Sequence, residues 1–200
     1  MPVNLGEEMG KNKIFLMVLP NDTYTECVME ISKQFSREYN RTLYISLNKL
    51  FNALSANIQN SSVSLDRFHF IDGITKTVLP DVKDSEKCTY APSASDLKEL
   101  AKAIAQEMNK NKYDAMIFDS LSTLQIYNEE KTVIEFVHSF IGRLRISGLR
   151  SGFTCLEGDT NTALIRKLGM IVDKIIRLEA HMIWEGDKKT ITFETRSPIV

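Results

Sequence analysis

Residues 113–124 read YDAMIFDSLSTL. Ala115, Met116, Ile117 and Phe118 would present apolar groups on both faces of a strand. Such a run belongs in the interior of a parallel sheet with helices on each side. It stops abruptly on Asp119 and Ser120. In open α/β sheets ligands lie beyond the carboxyl ends of the strands, so a carboxylate there occupies a position where chemistry is done.

Working outward, the same kind of run recurs at residues 13–19 (KIFLMVL), 42–47 (TLYISL), 67–71 (RFHFI) and 153–157 (FTCLE). Helical spacing fills the intervals. Thr23 with Glu26 forms a capping box ahead of the stripe Cys27, Val28, Ile31 and Phe35, and this helix is expected to reach about Glu38. Leu50, Leu54 and Ile58 mark a short helix. Ser93 with Asp96 can cap a helix carrying Leu97, Leu100, Ala101, Ile104 and Met108. Residues 129–147 form the strongest helical pattern, which Gly148 terminates, and a further helix is expected from about Thr160 to Leu168. After residue 173, β-rich runs split by Gly186 and Asp187 predict an antiparallel finish. The alternation predicts a three-layer α/β fold with a mostly parallel central sheet and a C-terminal antiparallel hairpin. One domain spans 1–200, with a flexible N-terminus at 1–11 and a long surface connection at 73–93, which contains two prolines and shows neither period.

The 25 Lys plus Arg balance 26 Asp plus Glu, for a net charge of −1, so nothing resembles a polycation built for nucleic acid. With 43% hydrophobic residues the chain has the makings of a folded core. Cys27, Cys88 and Cys155 are scattered and read as reduced thiols. No apolar stretch approaches the roughly 20 residues of a membrane span, and the polar, acidic start is unlike a signal peptide, so a cytoplasmic location is expected. The sequons at Asn21, Asn40 and Asn60 are then chance matches. His69, inside a strand, and His138, on a helix, have no ligand-spaced partners and read as structural. Arg143, Arg145 and Arg150 read as a solvated helix end that complements the dipole.

The stretch YDAMIFDSLSTL resembles the Walker B strand of RecA-superfamily ATPases, in particular the KaiC-like branch. There an apolar strand ends in Asp-Ser before a small polar and apolar loop. The resemblance continues through the long helix with Arg143, Leu144 and Arg145, the next strand, the DKIIRLE strand and the closing hairpin, and it covers roughly residues 12–197. It implies a RecA-like fold, with Asp119 and Thr25 as magnesium ligands if the metal is bound. Asp119 can equally cap the following turn.

Against that family, three positions depart. The phosphate-loop spacing Gly-x4-Gly-Lys-Ser/Thr falls on VLPNDTYT, so Val18 and Thr23 replace the glycines, Tyr24 replaces the lysine, and Thr25 alone remains. Glycines let backbone amides curl round phosphates, lysine neutralises them, and the hydroxyl holds magnesium. A tyrosine supplies no such charge, Asp22 adds the wrong one, and Pro20 removes a donor. No glycine at all lies between Gly10 and Gly73, in a chain whose nine glycines already fall below the usual roughly 7%. At the end of the second strand, where KaiC-like proteins carry activating glutamates, Asn48 and Lys49 stand, and neither is a base at neutral pH. Glu157 is the remaining carboxylate candidate for catalysis. In the hairpin, TFETR offers Glu194 and Arg196 where the family presents Lys-x-Arg to a neighbouring subunit.

The expectation is therefore a pseudo-ATPase. Tyr24, Thr25, Asp119 and Ser120 would form a relic or weak nucleotide site, with no catalytic residue and no cofactor. The chain would act through protein partners, either itself in a homo-oligomer or an active paralogue, with neither membrane nor nucleic acid. The alternatives are an atypical ATPase that uses ATP and magnesium, and an accessory recombination protein of the RecA-paralogue kind.

Overall fold

A computed structural model of the chain describes residues 5–61, 63–159, 163–185 and 188–196. Its centre is an eight-stranded sheet in the order β4-β3-β2-β5-β6-β1-β7-β8. The strands are β1 (Ile14–Leu19), β2 (Thr42–Ser46), β3 (Phe68–Asp72), β4 (Cys88–Tyr90), β5 (Ala115–Asp119), β6 (Arg150–Leu156), β7 (Lys174–Glu185) and β8 (Lys188–Arg196). Every neighbouring pair is parallel except β7 with β8, so the expected parallel sheet with an antiparallel finish is present. The Gly186-Asp187 turn itself lies outside the described residues.

Helices cover both faces. On one side α1 (Leu5–Lys11), α2 (Tyr24–Glu38) and α3 (Phe51–Asn60) pack with alternate strand residues Phe15, Met17, Tyr44, Phe70 and Ile117. On the other, α5 (Leu97–Lys110), α6 (Leu121–Tyr127), α7 (Glu130–Ser147) and α8 (Ala163–Leu168) enclose Leu16, Ile45, Ile71, Phe118 and Phe153. The period-2 alternation of a strand divides one apolar run between two cores. This is why β1 is apolar throughout, β5 is apolar up to its last residue, Asp119, and both are wholly buried.

Several local expectations change. Residues 5–11, expected to be flexible, form α1, with Leu5 and Met9 buried. Those two residues sit one helical turn apart and face the core. The Arg150 guanidinium then binds the carbonyls of Met9, Gly10 and Asn12 at 3.0, 3.2 and 3.0 Å, satisfying groups that a helix end leaves open. Arg145 instead reaches Asp173 at 2.8 Å and the Ile171 carbonyl at 2.7 Å, so the three arginines do not act as one cluster. Residues 1–4 lie outside the described part.

The 73–93 connection also contains regular structure. It holds the one-turn helix α4 (Thr75–Val78) and the edge strand β4, whose Cys88 is buried and whose ladder partners are Phe70, Ile71 and Asp72. Three residues are too few for a period to register in the sequence. The expected capping box at Thr23 is absent: α2 starts at Tyr24 with no side-chain cap bond. At α5, Asp96 alone caps, accepting from the Lys98 and Glu99 amides. The loop expected after Ser120 is α6, with the Ser120 hydroxyl accepting from the Thr123 amide. Gly148 ends α7 at φ 72°, as its sequence position predicted. Helix α8 is described from Ala163, and the expected start near Thr160 lies outside the described residues. All three cysteines are buried free thiols, pushed up to about 12 by burial.

Met9→Ala should cost about 2–5 kcal/mol of unfolding free energy in urea, because it opens a cavity under α1. A flexible N-terminal segment would give a change near zero.

Candidate functional site

The carboxyl ends of β2, β5, β6 and β1 lie side by side, and the register places Ser46 beside Asp119, Phe118 beside Phe153 and Met17 beside Thr154. Asp119 shares its parity with Ala115 and Ile117, so it faces the α1–α3 layer. Three elements converge on it there: Tyr24 from the first turn of α2, Tyr44 from β2 and Thr154 from β6.

The Asp119 carboxylate is completely buried. Its Oδ1 accepts from the Tyr24 hydroxyl, from Thr154 Oγ1 at 3.0 Å and from Asn48 Nδ2 at 3.2 Å. Its Oδ2 accepts from the Tyr44 hydroxyl at 2.6 Å. Thr154 Oγ1 also lies 3.0 Å from the Tyr24 hydroxyl, and Asn48 Nδ2 lies 3.3 Å from it, closing the network. Four protein donors thus surround one carboxylate, and among the described residues no cation pairs with it directly.

Burial raises the Asp119 carboxyl above the usual carboxylate range, partly offset by the Tyr24, Tyr44 and Thr154 hydrogen bonds and by the charge of Lys49. The same burial, followed by the Asp119 charge, holds the Tyr24 and Tyr44 hydroxyls well above their ordinary values. Both phenols therefore stay protonated and act as donors. Chemically this is a locked hydrogen-bond network.

Among the other expected site residues, Thr25 is exposed, and its Oγ1 accepts from Lys49 Nζ at 2.8 Å. Ser120 is buried and spends its hydroxyl on Thr123. Glu157 lies in a one-turn 3-10 helix after β6, largely exposed, and pairs with Arg177 of β7 at 3.2 Å. The structure thus joins Tyr24 and Asp119 directly. Glu194 lies on β8 within 3.9 Å of His181, and the Arg196 backbone sits opposite Arg177. His69 contacts Thr89 Oγ1 at 3.1 Å and the buried Glu107 at 3.6 Å at the other end of the sheet.

Sequence reasoning missed Tyr44 and Thr154. Their signal was a hydroxyl inside an otherwise apolar strand run, since a buried hydroxyl requires a partner. A second buried carboxylate, Asp72 at the end of β3, serves the backbone instead. It accepts from the amides of Phe51, Ile74 and Thr75 and from the Thr75 hydroxyl, tying α3 and α4 to the sheet. Beside Asn48 a cavity of about 420 Å³ opens toward α6, lined by neutral groups such as Thr77, Ser93, Thr123 and Tyr127.

No family model and no curated protein matches the sequence. Among solved structures, the chain is similar to the crystal structure of a KaiC-like protein from the hyperthermophilic archaeon Pyrococcus horikoshii OT3. The TM-score is 0.64 at 11% identity, over 93% of this chain and 79% of that one. At that identity the likeness is one of fold, and the fold is KaiC-like and RecA-like, as the Walker B resemblance implied. No helix among the described residues is long and apolar enough to cross a membrane.

Tyr44→Phe should cost about 1–3 kcal/mol at neutral pH, because it leaves Asp119 Oδ2 buried without a donor. A change below about 0.5 kcal/mol in urea unfolding would mean that Oδ2 reaches water. The pH dependence has a definite sign. Because the folded-state carboxyl titrates above its unfolded value, its stabilising effect is complete below the unfolded value and is lost as pH rises through the folded one. Wild-type stability measured relative to Asp119→Asn should therefore fall over that interval and then level off. A rise with pH would contradict the raised value.

Proposed function

We propose that this chain is a RecA-like, KaiC-related domain that has lost ATPase chemistry and acts by binding protein partners, as a regulator or as a subunit assembled with itself or with an active paralogue. One observation carries this view: the Tyr24 hydroxyl, at the position the family resemblance assigns to the phosphate-loop lysine, donates to Asp119, at the position assigned to the magnesium-binding carboxylate.

A magnesium ligand needs a free lone pair and a carboxylate that ionises readily. Asp119 is buried, already engaged by four donors and raised in pKa. Freeing it means breaking bonds to two tyrosines and exposing a packed phenol. Val18 and Thr23 bring side chains where a phosphate cradle needs bare backbone. The cavity beside Asn48 has no charged side chain among its lining residues to offset a triphosphate. Glu157, held by Arg177, stands at the exposed rim. The residues present do not fit a magnesium–nucleotide complex.

A second reading has one specific observation in its favour. Lys49 Nζ, 2.8 Å from Thr25 Oγ1, brings an ammonium to the first turn of α2. An atypical nucleotide site could draw its positive charge from there.

Titration calorimetry with Mg-ATP, together with a phosphate-release assay, separates the two. The expected result is no binding heat up to millimolar nucleotide and no turnover. Micromolar binding with turnover would overturn the proposal, and loss of that binding in Lys49→Ala would assign it to the second reading.

A further inference from the structure

The sheet ends on β8, and among the described residues β8 pairs with β7 alone. Its outer edge is a nine-residue row of backbone with no strand against it. Such an edge is a template for another strand. β1 accompanies β7 only as far as Arg177, so from Leu178 to Glu185 β7 runs on with β8 as a two-stranded ribbon. Two strands alone are marginal in water, and further strands supply what the ribbon lacks.

The charge pattern of the strand selects its partner. Phe193 packs on the α1–α3 core and Thr195 is buried. The alternation therefore sets positions 189 and 191 on that face and 188, 190, 192 and 194 on the other. Glu194 stands directly opposite Glu179 of β7, a like-charged pair that a ribbon tolerates poorly. His181, 3.7 Å from Glu179 and 3.9 Å from Glu194, relieves that repulsion only when protonated. Arg177, diagonal to Glu194, is paired with Glu157. A cation on the outer side of Glu194 is favoured.

A second copy of β8 brings one. When two copies join edge to edge and antiparallel, a two-fold axis normal to the sheet carries each face onto the same face of the other copy. Only positions of equal parity can then stand opposite each other. Centred on Ile191, the pairing sets Lys188 against Glu194 and Thr190 against Thr192, each twice, with Ile191 against its own counterpart on the face of Phe193. Opposite charges, threonine pairs and β-branched pairs are favourable cross-strand combinations. Lys188, opposite Glu185 within its own hairpin, then lies between two carboxylates. Other registers lose this match. Centred on Thr192, the pairing would set Lys188 against Arg196, and centred on Thr190 it would set Lys189 against Ile191 and leave Glu194 opposite the turn. Centred on Phe193, it would put Glu194 against Thr192 and drop both lysines from the ladder.

We propose that β8 pairs antiparallel with β8 of a second copy, in the register centred on Ile191, to form a two-fold dimer whose sheet is continuous across both copies. This inference rests on the partner-binding part of the proposed function and names the partner as the chain itself. It does not depend on the state of Asp119.

Sedimentation velocity of the full chain between about 1 and 200 μM, where a small interface dissociates, tests it. The wild type should reach a dimer within that range. Lys188→Glu and Glu194→Lys should each weaken it by about tenfold or more, since both charge pairs of the dimer become like-charged at once. The double variant should return the dissociation constant to within about threefold of wild type, because the pairs are restored with their signs exchanged. Far-UV circular dichroism and urea unfolding confirm that each variant is folded. A wild type that stays monomeric at the top of the range would overturn the proposal, as would single variants that dimerise as wild type does, or a double variant no tighter than the singles. A monomer that gives no heat with Mg-ATP removes this interface and leaves the loss of nucleotide chemistry standing, whereas a charge-dependent dimer that turns over Mg-ATP does the reverse.

Discussion

A carboxylate withdrawn from water must be surrounded by donors, and Asp119 imposes that requirement on the carboxyl edge of this sheet. An isolated charge buried in a protein interior costs several kcal/mol even after relaxation. Here the cost is offset by Tyr24, Tyr44, Thr154 and Asn48, drawn from four separate parts of the chain. These contacts fix where α2 starts over β1, bring the β2–α3 loop inward and clamp β6 between its neighbours. The carboxyl edge of the sheet is thereby joined through side chains.

The two buried strand-end aspartates make the comparison sharper. Asp72 is bonded chiefly by backbone amides, which any sequence of the same conformation would provide. Asp119 is bonded by side chains alone, so its environment depends on the identity of residues 24, 44, 48 and 154. A carboxylate of the first kind belongs to the architecture. One of the second kind is where substitution over time can change what a fold does, because each partner can alter without unravelling a helix or a ladder.

Much of the architecture was legible because it rests on periodicity. The apolar runs at residues 14–19 and 115–119 read as interior strands, and the left-handed Gly148 marked the end of α7. The Walker B resemblance at Asp119 pointed to the fold that the archaeal KaiC-like structure shares. Short or context-borne elements stayed hidden. Strand β4 has three residues and exists because β3 offers an open ladder edge. Helix α1 holds because Met9 finds a core and Arg150, far along the chain, covers its carbonyls. Thr23 looked like a helix cap, but its buried hydroxyl makes no cap bond, and α2 begins without it.

The candidate site divides along the same line. Sequence by itself determined the alternation of strands and helices, the carboxylate at the end of β5, and the presence of Val18, Thr23 and Tyr24 around the first strand-to-helix turn, since these are matters of local pattern and residue chemistry. Only the tertiary structure decided that Tyr24 reaches Asp119, that Tyr44 and Thr154 complete the shell, and that Lys49 turns to Thr25. Those residues lie tens of positions apart, and it is the sheet order, which places β6 between β1 and β5, that brings their side chains within a hydrogen bond's length.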